Sequence, residues 1–527
     1  MSPISNKMDP ESLRLLEEMV QLDTTNIEDP ANNRIVKLHH MEAAKLLSER
    51  ARGWGLEASI WDARKELDNG SDLFNEPRPN IIVDLDKGME RRLLIICHYD
   101  VVPVPEEQQA RWKSPPHKVT LRSDGRLYGR GTNDDIGSGV ITGLEALRSL
   151  KKADRLPVNV RMVICCDEET GGAGGIDAIR DHDLAIAKES EERILSGEMA
   201  VIPDGSPYVA AGSSGVSFVE ISIPPKSALE QYLRLCQGVA DFHRVAETWV
   251  SELVAPPDPS GKVPHPTITG RATVTKVEAL CPAGSPKRAS LLSVHANSLA
   301  ANQIPATVTL KFQGEPAQLK ALEAMLGKTV QDPFHIAPTK KGNNLAVDVV
   351  GRSGHGGYPH RAANPVPETV RLLSEAIRRD LISDIPVTKG ELTLDLRSPP
   401  EMEYSQALDI FDNNFRSLEL EMPGAKAVVP PGRARSGYFL SAADARAKRI
   451  QQIYEKVSGR KVGIFGEYGG TDASALRDLT TPSGEPMPAV VFGSMDQDAN
   501  IHDAEESIDP RYYNEVVQLL IRWVETA

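Results

Sequence analysis

The sequence predicts an α/β fold: a domain with a mostly parallel central sheet, interrupted by an α+β insertion. Three near-continuous apolar runs carry the first half of this prediction, namely Asn80–Leu85, Arg92–Cys97 and Val158–Cys166. Strands that are apolar on both faces are typical of a parallel sheet covered by helices. Segments of alternating polar and apolar residues then indicate the insertion, which we place at residues 213–429.

The elements of the first part follow from the spacing of its apolar residues. Pro10 to Gln21 and Val36 to Gly53 have apolar residues at helical spacing, and Ile136–Leu150 predicts a helix between two strands. The pattern changes after Val201–Asp204. The small residues of Ala210–Gly215 then predict a flexible hinge.

The insertion and the last part of the chain are less regular. Alternation predicts antiparallel strands, and longer apolar patterns predict helices. The alternating strands are Val216–Ile223, Thr307–Phe312 and Glu391–Leu396, and the helices are Glu230–Leu253, Pro316–Leu326 and Ala442–Lys456. Near the C-terminus, Ala489–Phe492 is predicted as a short apolar strand. Pro423–Arg435 reads as a linker. We therefore expect a first domain made of residues 1–212 and 430–527, with the insertion 213–429 forming one or two lobes.

The composition limits the class of function. Sixty Lys and Arg residues are outnumbered by 74 Asp and Glu residues, and this net charge of −14 argues against nucleic acid as a partner, since phosphate binding needs a cationic face. No run of about 18 apolar residues predicts a membrane span, and the first residues lack the pattern of a secretory signal. Five scattered cysteines without CxxC spacing argue against a disulfide framework and favour the cytoplasm.

Five short motifs place His, Asp or Glu at the ends of predicted elements. They are His98-Tyr-Asp100, Asp134-Asp135, Asp167-Glu168-Glu169, Pro203-Asp204 and His502-Asp503. Each one alone also fits a structural role, such as a His–Asp pair, a helix N-cap or a solvated acidic turn. Together they offer enough ligands for two metal ions that share one bridging carboxylate. Oxygen and imidazole ligands without thiolates suit Zn, Co or Mn.

The acidic run Asp167-Glu168-Glu169 contains two functional candidates. Three consecutive carboxylates repel one another, so a nearby cation is the simplest explanation for them. Neighbouring side chains in an extended chain point in opposite directions. We therefore expect one of Glu168 and Glu169 to bind metal while the other faces a water molecule.

Four motifs in this order resemble the dinuclear zinc aminoacylase, deacetylase and dipeptidase family, which includes acetylornithine deacetylase, succinyl-diaminopimelate desuccinylase and carnosinase. The motifs are His98-Tyr-Asp100-Val-Val-Pro, Gly129-Arg-Gly-Thr-Asn-Asp134, Asp167-Glu168-Glu169 and Gly469-Gly-Thr-Asp. The resemblance spans nearly the whole chain. It implies a zinc-exopeptidase-like catalytic domain, with the insertion as the family's lid. Ile136 and Cys97 depart from a common Lys and a common Gly of the family, but neither replaces a ligand.

The resemblance also implies a role for each residue of the motifs. The metal ligands fall into two sets that share Asp134 as the bridge: His98, Asp134 and Asp204 for one ion, and Asp134, Glu169 and His502 for the other. Glu168 would be the general base, and Asp100 would orient His98. The implied cofactors are two divalent ions, with Zn as the first expectation and Co or Mn as alternatives.

In the insertion, the resemblance implies residues that contact the substrate. His355 would donate to the oxyanion, Arg397 would clamp a substrate carboxylate, and Asn302 and the loop Gly469-Gly470-Thr471 would complete the site. The order Asn302, His355, Arg397 is that of bacterial broad-specificity dipeptidases with a two-lobed lid. We therefore expect a monomer in which His355 serves its own chain. The alternative is a homodimer in which it serves the partner.

These expectations favour a metal-dependent hydrolase of amide bonds next to a free carboxylate, as in a dipeptidase or short-peptide exopeptidase. An N-acyl-amino-acid deacylase on the same site stays open, and it would not need a free α-amine on the substrate. A catalytically silent binding homologue is the remaining alternative, and the presence of Glu168 and of every ligand argues against it. The expected partner is a small peptide or N-acyl amino acid, with no nucleic acid and no membrane.

Overall fold

The chain divides into two compact units. The computed structural model describes residues 5–29, 34–66, 76–104, 106–153, 155–186, 193–257, 265–282, 287–296, 301–430 and 433–527. The first unit comprises Met1–Ser213, Tyr438–Glu467 and Thr471–Ala527, and the second unit comprises Ser214–Gly437 and Tyr468–Gly470. The chain therefore passes from the first unit to the second unit twice.

The described residues form thirteen α-helices, four of which begin beside a capping side chain. In chain order they are α1 (Pro10–Gln21), α2 (His40–Gly53), α3 (Ala63–Glu66), α4 (Glu106–Gln109), α5 (Thr142–Lys151), α6 (Ile176–Ile186), α7 (Leu229–Asp241), α8 (His243–Ala246), α9 (Pro316–Thr329), α10 (Pro365–Arg378), α11 (Tyr404–Glu421), α12 (Ala445–Ser458) and α13 (Pro510–Glu525). The side chains of Asp9, Asn364, Asp444 and Asp509 each accept a backbone N–H of the first turn. A π-helical turn, Ile136–Ile141, leads directly into α5.

The strands of the two units do not mix. In chain order they are β1 (Asn26–Asp29), β2 (Arg34–Lys37), β3 (Glu57–Asp62), β4 (Pro79–Leu85), β5 (Arg92–His98), β6 (Thr120–Leu121), β7 (Leu127–Tyr128), β8 (Asn159–Cys165), β9 (Ala200–Ile202), β10 (Val209–Ser213), β11 (Gly215–Ser222), β12 (Ser227–Ala228), β13 (Val250–Val254), β14 (Thr267–Thr269), β15 (Arg271–Leu280), β16 (Ser290–Ala296), β17 (Gln303–Ile304), β18 (Thr307–Gln313), β19 (His335–Lys341), β20 (Asn344–Val350), β21 (Gly354–His355), β22 (Pro386–Val387), β23 (Lys389–Ser398), β24 (Lys426–Val428), β25 (Ala434–Arg435), β26 (Tyr438–Phe439), β27 (Ile464–Glu467), β28 (Ala489–Val491) and β29 (Ser507–Ile508).

The first unit is an α/β domain with parallel strands at its centre. The order in its main sheet is β26-β10-β28-β9-β5-β8-β4-β3, with β27 also beside β10. The four central strands β28, β9, β5 and β8 are parallel to one another, whereas β4 and β3 are added antiparallel. The near-continuous apolar runs predicted from the sequence form β4, β5 and β8, and β5 and β8 are buried over nearly their whole length. The parallel centre places the carboxyl ends of four strands at one edge.

The second unit is an α+β domain built on one antiparallel sheet. The strand order is β19-β20-β18-β16-β15-β23-β11-β24, with β25 also beside β11. Apolar residues of the strands pack with α7, α9, α10 and α11 in one hydrophobic cluster, which includes Tyr232, Phe312, Leu372, Leu392 and Phe411. The expected alternation of antiparallel strands is clear in β11, where buried residues alternate with more exposed ones.

The segment predicted as a flexible hinge is mostly strand, and its role as a hinge stays a prediction. Residues 210–213 belong to β10 and Gly215 begins β11, and Ala211, Ser213 and Ser214 are all 0% exposed. Small residues fit a buried strand as readily as a flexible loop, since Ala and Gly are among the residues most often buried. The boundary between the units does fall here, between Ser213 and Ser214, but it falls between two strands.

Three other predicted segments differ from the structure. The helix predicted over Glu230–Leu253 ends at Asp241, and its last residues form β13, in which exposed and buried residues alternate. The helix predicted from Val36 begins at His40, because Val36 is paired with Ile27 in a short hairpin. The linker Pro423–Arg435 contains β24 and β25, which both pair with β11.

Two findings bear on the composition argument. All five cysteines are buried, and none of them forms a disulfide bond in the described part of the chain. Within the described ranges, none of the helices is long and apolar enough to cross a bilayer.

Candidate functional site

The predicted metal ligands gather at one edge of the first unit's sheet. β5 ends at His98, Asp204 lies two residues after β9, and Glu169 lies in the turn after β8. These strands are parallel neighbours, so their carboxyl ends, where open α/β sheets bind ligands, lie side by side. Asp134 reaches the same place from the loop before the π-helical turn, and His502 reaches it from the loop before β29.

Asp134 lies between the two histidines. Its Oδ1 is 3.4 Å from Nε2 of His98, and its Oδ2 is 2.9 Å from Nε2 of His502. Asp204 Oδ2 lies 3.8 Å from the same nitrogen of His98, and Glu169 Oε2 lies 3.1 Å from that of His502. Two groups of possible ligands therefore share one carboxylate, and within each group the ligand atoms lie within 4.8 Å of one another.

The environment of His98 fits a metal ion. The imidazole is 1% exposed, and its Nδ1 donates to the carbonyl oxygen of Asp100 at 3.0 Å. In a neutral ring Nε2 is then the unprotonated nitrogen. This Nε2 is buried and has no hydrogen-bond partner in the described part of the chain. A buried lone pair that faces carboxylates is costly unless a cation lies between them, so the residues present suit a divalent ion.

Burial and crowding perturb the charges of these ligands. Burial raises the pKa of Asp204 well above its usual value, and neighbouring carboxylates raise it further. Burial also raises the pKa of Glu169. Burial alone would raise the pKa of Asp134 too, but the neighbouring imidazoles of His502 and His98 hold it far below the usual range. So many buried carboxylates in contact favour added positive charge, which a bound divalent ion supplies.

Asp100 connects two of the motifs. Its carboxylate accepts the backbone N–H groups of Glu168 and Glu169, each at 3.1 Å, and the side-chain amide of Asn26 at 2.6 Å. The same carboxylate lies 3.4 Å from Nδ1 of His98, farther than the Asp100 carbonyl oxygen. The carbonyl therefore sets the tautomer of His98, while the carboxylate mainly holds the acidic turn. Asn26 has no counterpart among the sequence-based candidates.

The geometry of the acidic run differs from the expectation. Glu168–Thr170 forms a 3₁₀ turn and not an extended segment, so the side chains of Glu168 and Glu169 diverge by about 120°. Asp167 faces its own loop, where it accepts the Gly174 N–H at 2.7 Å and the hydroxyl of Thr170. Only Glu169 of the three belongs to a ligand group. The roles predicted for Glu168 and Glu169 stay predictions.

A buried ion pair that the sequence did not reveal supports two ligand loops. Glu506 is fully buried and accepts the N–H groups of Asn133 at 3.0 Å and of Asp134 at 3.1 Å. Its other oxygen accepts from Arg130 at 2.6 Å. Arg130 also donates to Gln108, whose amide donates to the carbonyl oxygen of His502 at 2.9 Å. Arg130 stands inside the quoted glycine-rich motif, but nothing in the sequence distinguishes a buried arginine from an exposed one.

The second unit brings Asn302 and His355 together. β17 pairs with β21, so that Gln303 lies opposite His355, and the Gly356 N–H donates to the Asn302 carbonyl oxygen at 2.7 Å. Nδ1 of His355 accepts the Gly357 N–H at 3.1 Å. A neutral His355 therefore carries its proton on Nε2, which is the arrangement that a hydrogen-bond donor to a substrate needs.

The remaining candidates lie in two places. In the second unit, Arg397 is buried and ion-paired with Asp395, and a side chain added at Gly470 would lie 3.9 Å from the Arg397 guanidinium. Gly469 belongs to the same short segment of the second unit. Thr471 belongs to the first unit, where its side chain caps the 3₁₀ turn Asp472–Asp478.

Comparisons with known proteins agree with this geometry. The family model described as peptidase family M20/M25/M40 matches residues 94–526. An uncharacterized metallohydrolase of Methanocaldococcus jannaschii is 25% identical over 41% of this chain, and the match spans 50% of that protein. A cysteinylglycine-S-conjugate dipeptidase of Corynebacterium striatum is 31% identical over 33% of each chain. The chain thus spans half or less of the length of these relatives.

A solved structure shows the same fold along the chain. The M20 family metallo-carboxypeptidase Sso-CP2 of Sulfolobus solfataricus superposes with a TM-score of 0.59 at 15% identity, covering 98% of this chain and 99% of that one. At this identity the likeness concerns the fold alone. The family match is different in kind, since it covers most of the chain and includes all five predicted metal ligands. The chain therefore belongs to peptidase family M20/M25/M40.

Proposed function

We propose that this protein is a metal-dependent hydrolase that cleaves an amide bond next to a free carboxylate, as a dipeptidase or short-peptide exopeptidase does. The observation that carries the proposal is the pair of ligand groups that share Asp134, beside a turn whose Glu168 belongs to neither group. The name of a similar protein, a cysteinylglycine-S-conjugate dipeptidase, supports this substrate class.

The cofactors that we propose are two divalent ions, Zn first and Co or Mn as alternatives. Ions held by these two groups would lower the pKa of water and polarise the carbonyl of the substrate. Glu168 then acts as the general base: it takes a proton from the attacking water and passes it to the leaving nitrogen. Asp100 fixes the backbone of the turn that presents this base, because it accepts the Glu168 N–H.

The residues of the second unit are proposed to contact the substrate. His355 donates from Nε2 to the developing oxyanion, a role that its occupied Nδ1 supports. Asn302 and the loop Gly469-Gly470-Thr471 hold the rest of the substrate. The order Asn302, His355, Arg397 along the chain favours action within one chain, and a homodimer is the alternative.

A substrate panel tests the proposal. The purified protein, supplied with Zn, Co or Mn, is assayed on free dipeptides, on their C-terminal amides and on N-acetyl amino acids. The account predicts hydrolysis of free dipeptides and slow turnover of the amides, because the free carboxylate is part of what is recognised. Preferred hydrolysis of N-acetyl amino acids would replace the dipeptidase by the deacylase. No hydrolysis of any amide in the panel would contradict both.

A further inference from the structure

Two buried arginines lie side by side on one face of the second unit's sheet. Arg271 on β15 and Arg397 on β23 are directly opposite each other in the antiparallel register. Opposite residues of an antiparallel pair project from the same face of the sheet. Their exposed fractions are only 4% and 3%. Two buried cations on the same face of a sheet require negatively charged partners. The two arginines differ in the partners that they have.

Arg397 has a complete partner. Its Nε donates to Oδ1 of Asp395 at 2.6 Å, and its Nη2 donates to Oδ2 at 3.0 Å. Asp395 itself is 0% exposed. This is the bidentate arrangement in which a guanidinium and a carboxylate are most strongly bound. The fork of Arg397 that would clamp a substrate carboxylate is therefore already occupied by a carboxylate of the protein.

Arg271 has no bidentate carboxylate partner among the described residues. Its Nε and Nη2 are buried and make no hydrogen bond within the described residues. Its Nη1 lies 3.9 Å from Glu247, whose side chain is 49% exposed, so that contact is long and screened by solvent. The guanidinium lies 4.6 Å from the centre of the Tyr468 ring. The hydroxyl of Tyr468 is likewise buried without a hydrogen-bond partner in the described part of the chain.

The arrangement of these unpaired donors indicates which chemical group they could bind. Nε and Nη2 form one edge of the planar guanidinium, which matches the two oxygens of a carboxylate. With two arginines and one aspartate, the cluster has one positive charge in excess. Leaving charged donors buried and unpaired costs more than leaving neutral ones unpaired, so an anion is the expected occupant.

We propose that Arg271 and Tyr468 form a carboxylate-binding site in the second unit, and that its ligand is the free carboxylate of the substrate. The identity of this ligand rests on the proposed function. Arg397 is then a positioning residue, which holds Asp395 and fixes the charge of this face. The specificity for substrates that end in a free carboxylate comes from Arg271.

Binding to a turnover-deficient protein tests this site directly. The full-length Glu168→Gln protein is titrated by calorimetry with N-acetylglycine and with its amide, which differ only at the carboxylate. Adding Arg271→Gln should weaken the binding of N-acetylglycine about 10- to 100-fold, in line with the loss of a charge-assisted hydrogen bond. The amide should bind equally well with or without the substitution. Arg244→Gln is the matched control, because Arg244 is an arginine of the same unit whose side chain is 75% exposed.

Thermal stability separates binding from a structural role. Without ligand, Arg271→Gln should not lower Tm, because it removes an unpaired buried charge, whereas Arg397→Gln should lower Tm because it leaves Asp395 unpaired. Three results would overturn the site. They are equal weakening of the binding of acid and amide, no binding of N-acetylglycine to the Glu168→Gln protein, and a loss of Tm in Arg271→Gln as large as that in Arg397→Gln. If the wild type hydrolyses no dipeptide yet Arg271 still discriminates acid from amide, the site stands and the proposed function fails.

Discussion

Asp134 is the residue on which both ligand groups depend. Each of its carboxylate oxygens faces a different histidine, and its backbone N–H is held by a buried glutamate. Glu169 belongs to one of the groups, whereas Glu168 precedes it in the same 3₁₀ turn and belongs to neither. We propose that Glu169 is a metal ligand and that the adjacent Glu168 is the general base.

The two glutamates should give opposite phenotypes. Glu168→Gln should reduce kcat by at least about 10²-fold, the lower end of general acid–base effects, while the metal content is unchanged. Glu169→Gln should lose metal, because the amide contributes no charge to the second group. Kinetics and elemental analysis of both proteins decide between the roles. Exchanged phenotypes would mean that the assignment is inverted.

At this scale the residues that form the two candidate ligand groups could be predicted, because each follows a recognisable strand end or motif. The partners of those ligands could not. Asn26 reaches Asp100 over 74 positions, and Glu506 reaches Asp134 over 372. Contacts between residues so distant in the chain depend on the whole packing of the first unit and leave no local pattern.

At the scale of elements, two loops that carry candidate ligands are tied to each other. Glu506 and Arg130 hold the Asp134 loop, and Gln108 links Arg130 to the backbone of His502. All of these bonds lie in the first unit. The loops are therefore fixed by a buried polar network, as ligand supports in metal sites commonly are.

Glu506→Gln should weaken this support without changing a ligand. Metal affinity is expected to fall about 10- to 100-fold, the usual range for a group that supports a metal ligand. Competition with a chelator measures the affinity. Glu505→Gln is the matched control, because Glu505 pairs with Arg122 and the Lys113 N–H and makes no hydrogen bond to the Asp134 loop among the described residues. Equal losses in the two variants would show that the network has no specific role.

The elements themselves were predictable where periodicity and position agreed. α1 has the predicted bounds, and the central strands lie where the apolar runs are. The differences occur where a local pattern was interpreted as flexible or extended backbone. Ala210–Gly215 is small but buried in strands, and Glu168–Thr170 is a turn because Asp100 holds two of its N–H groups. In both cases a tertiary contact outweighs a local preference.

At the scale of the molecule, the chain is a member of peptidase family M20/M25/M40 made of two units. The sequence-based boundaries, 212/213 and 429/430, stand beside 213/214 and 437/438 in the structure. The short return of Tyr468–Gly470 to the second unit was not predictable, since three residues carry no periodicity. That return nevertheless brings Tyr468 over Arg271.

The central claim is that two metal ions bound at Asp134 perform the hydrolysis. Elemental analysis of the purified protein, before and after treatment with a chelator, tests it most directly when turnover is measured on the same samples. The account predicts about two divalent ions per chain, loss of turnover when they are removed, and recovery with Zn, Co or Mn. Protein that contains no metal and keeps its full activity would contradict the account.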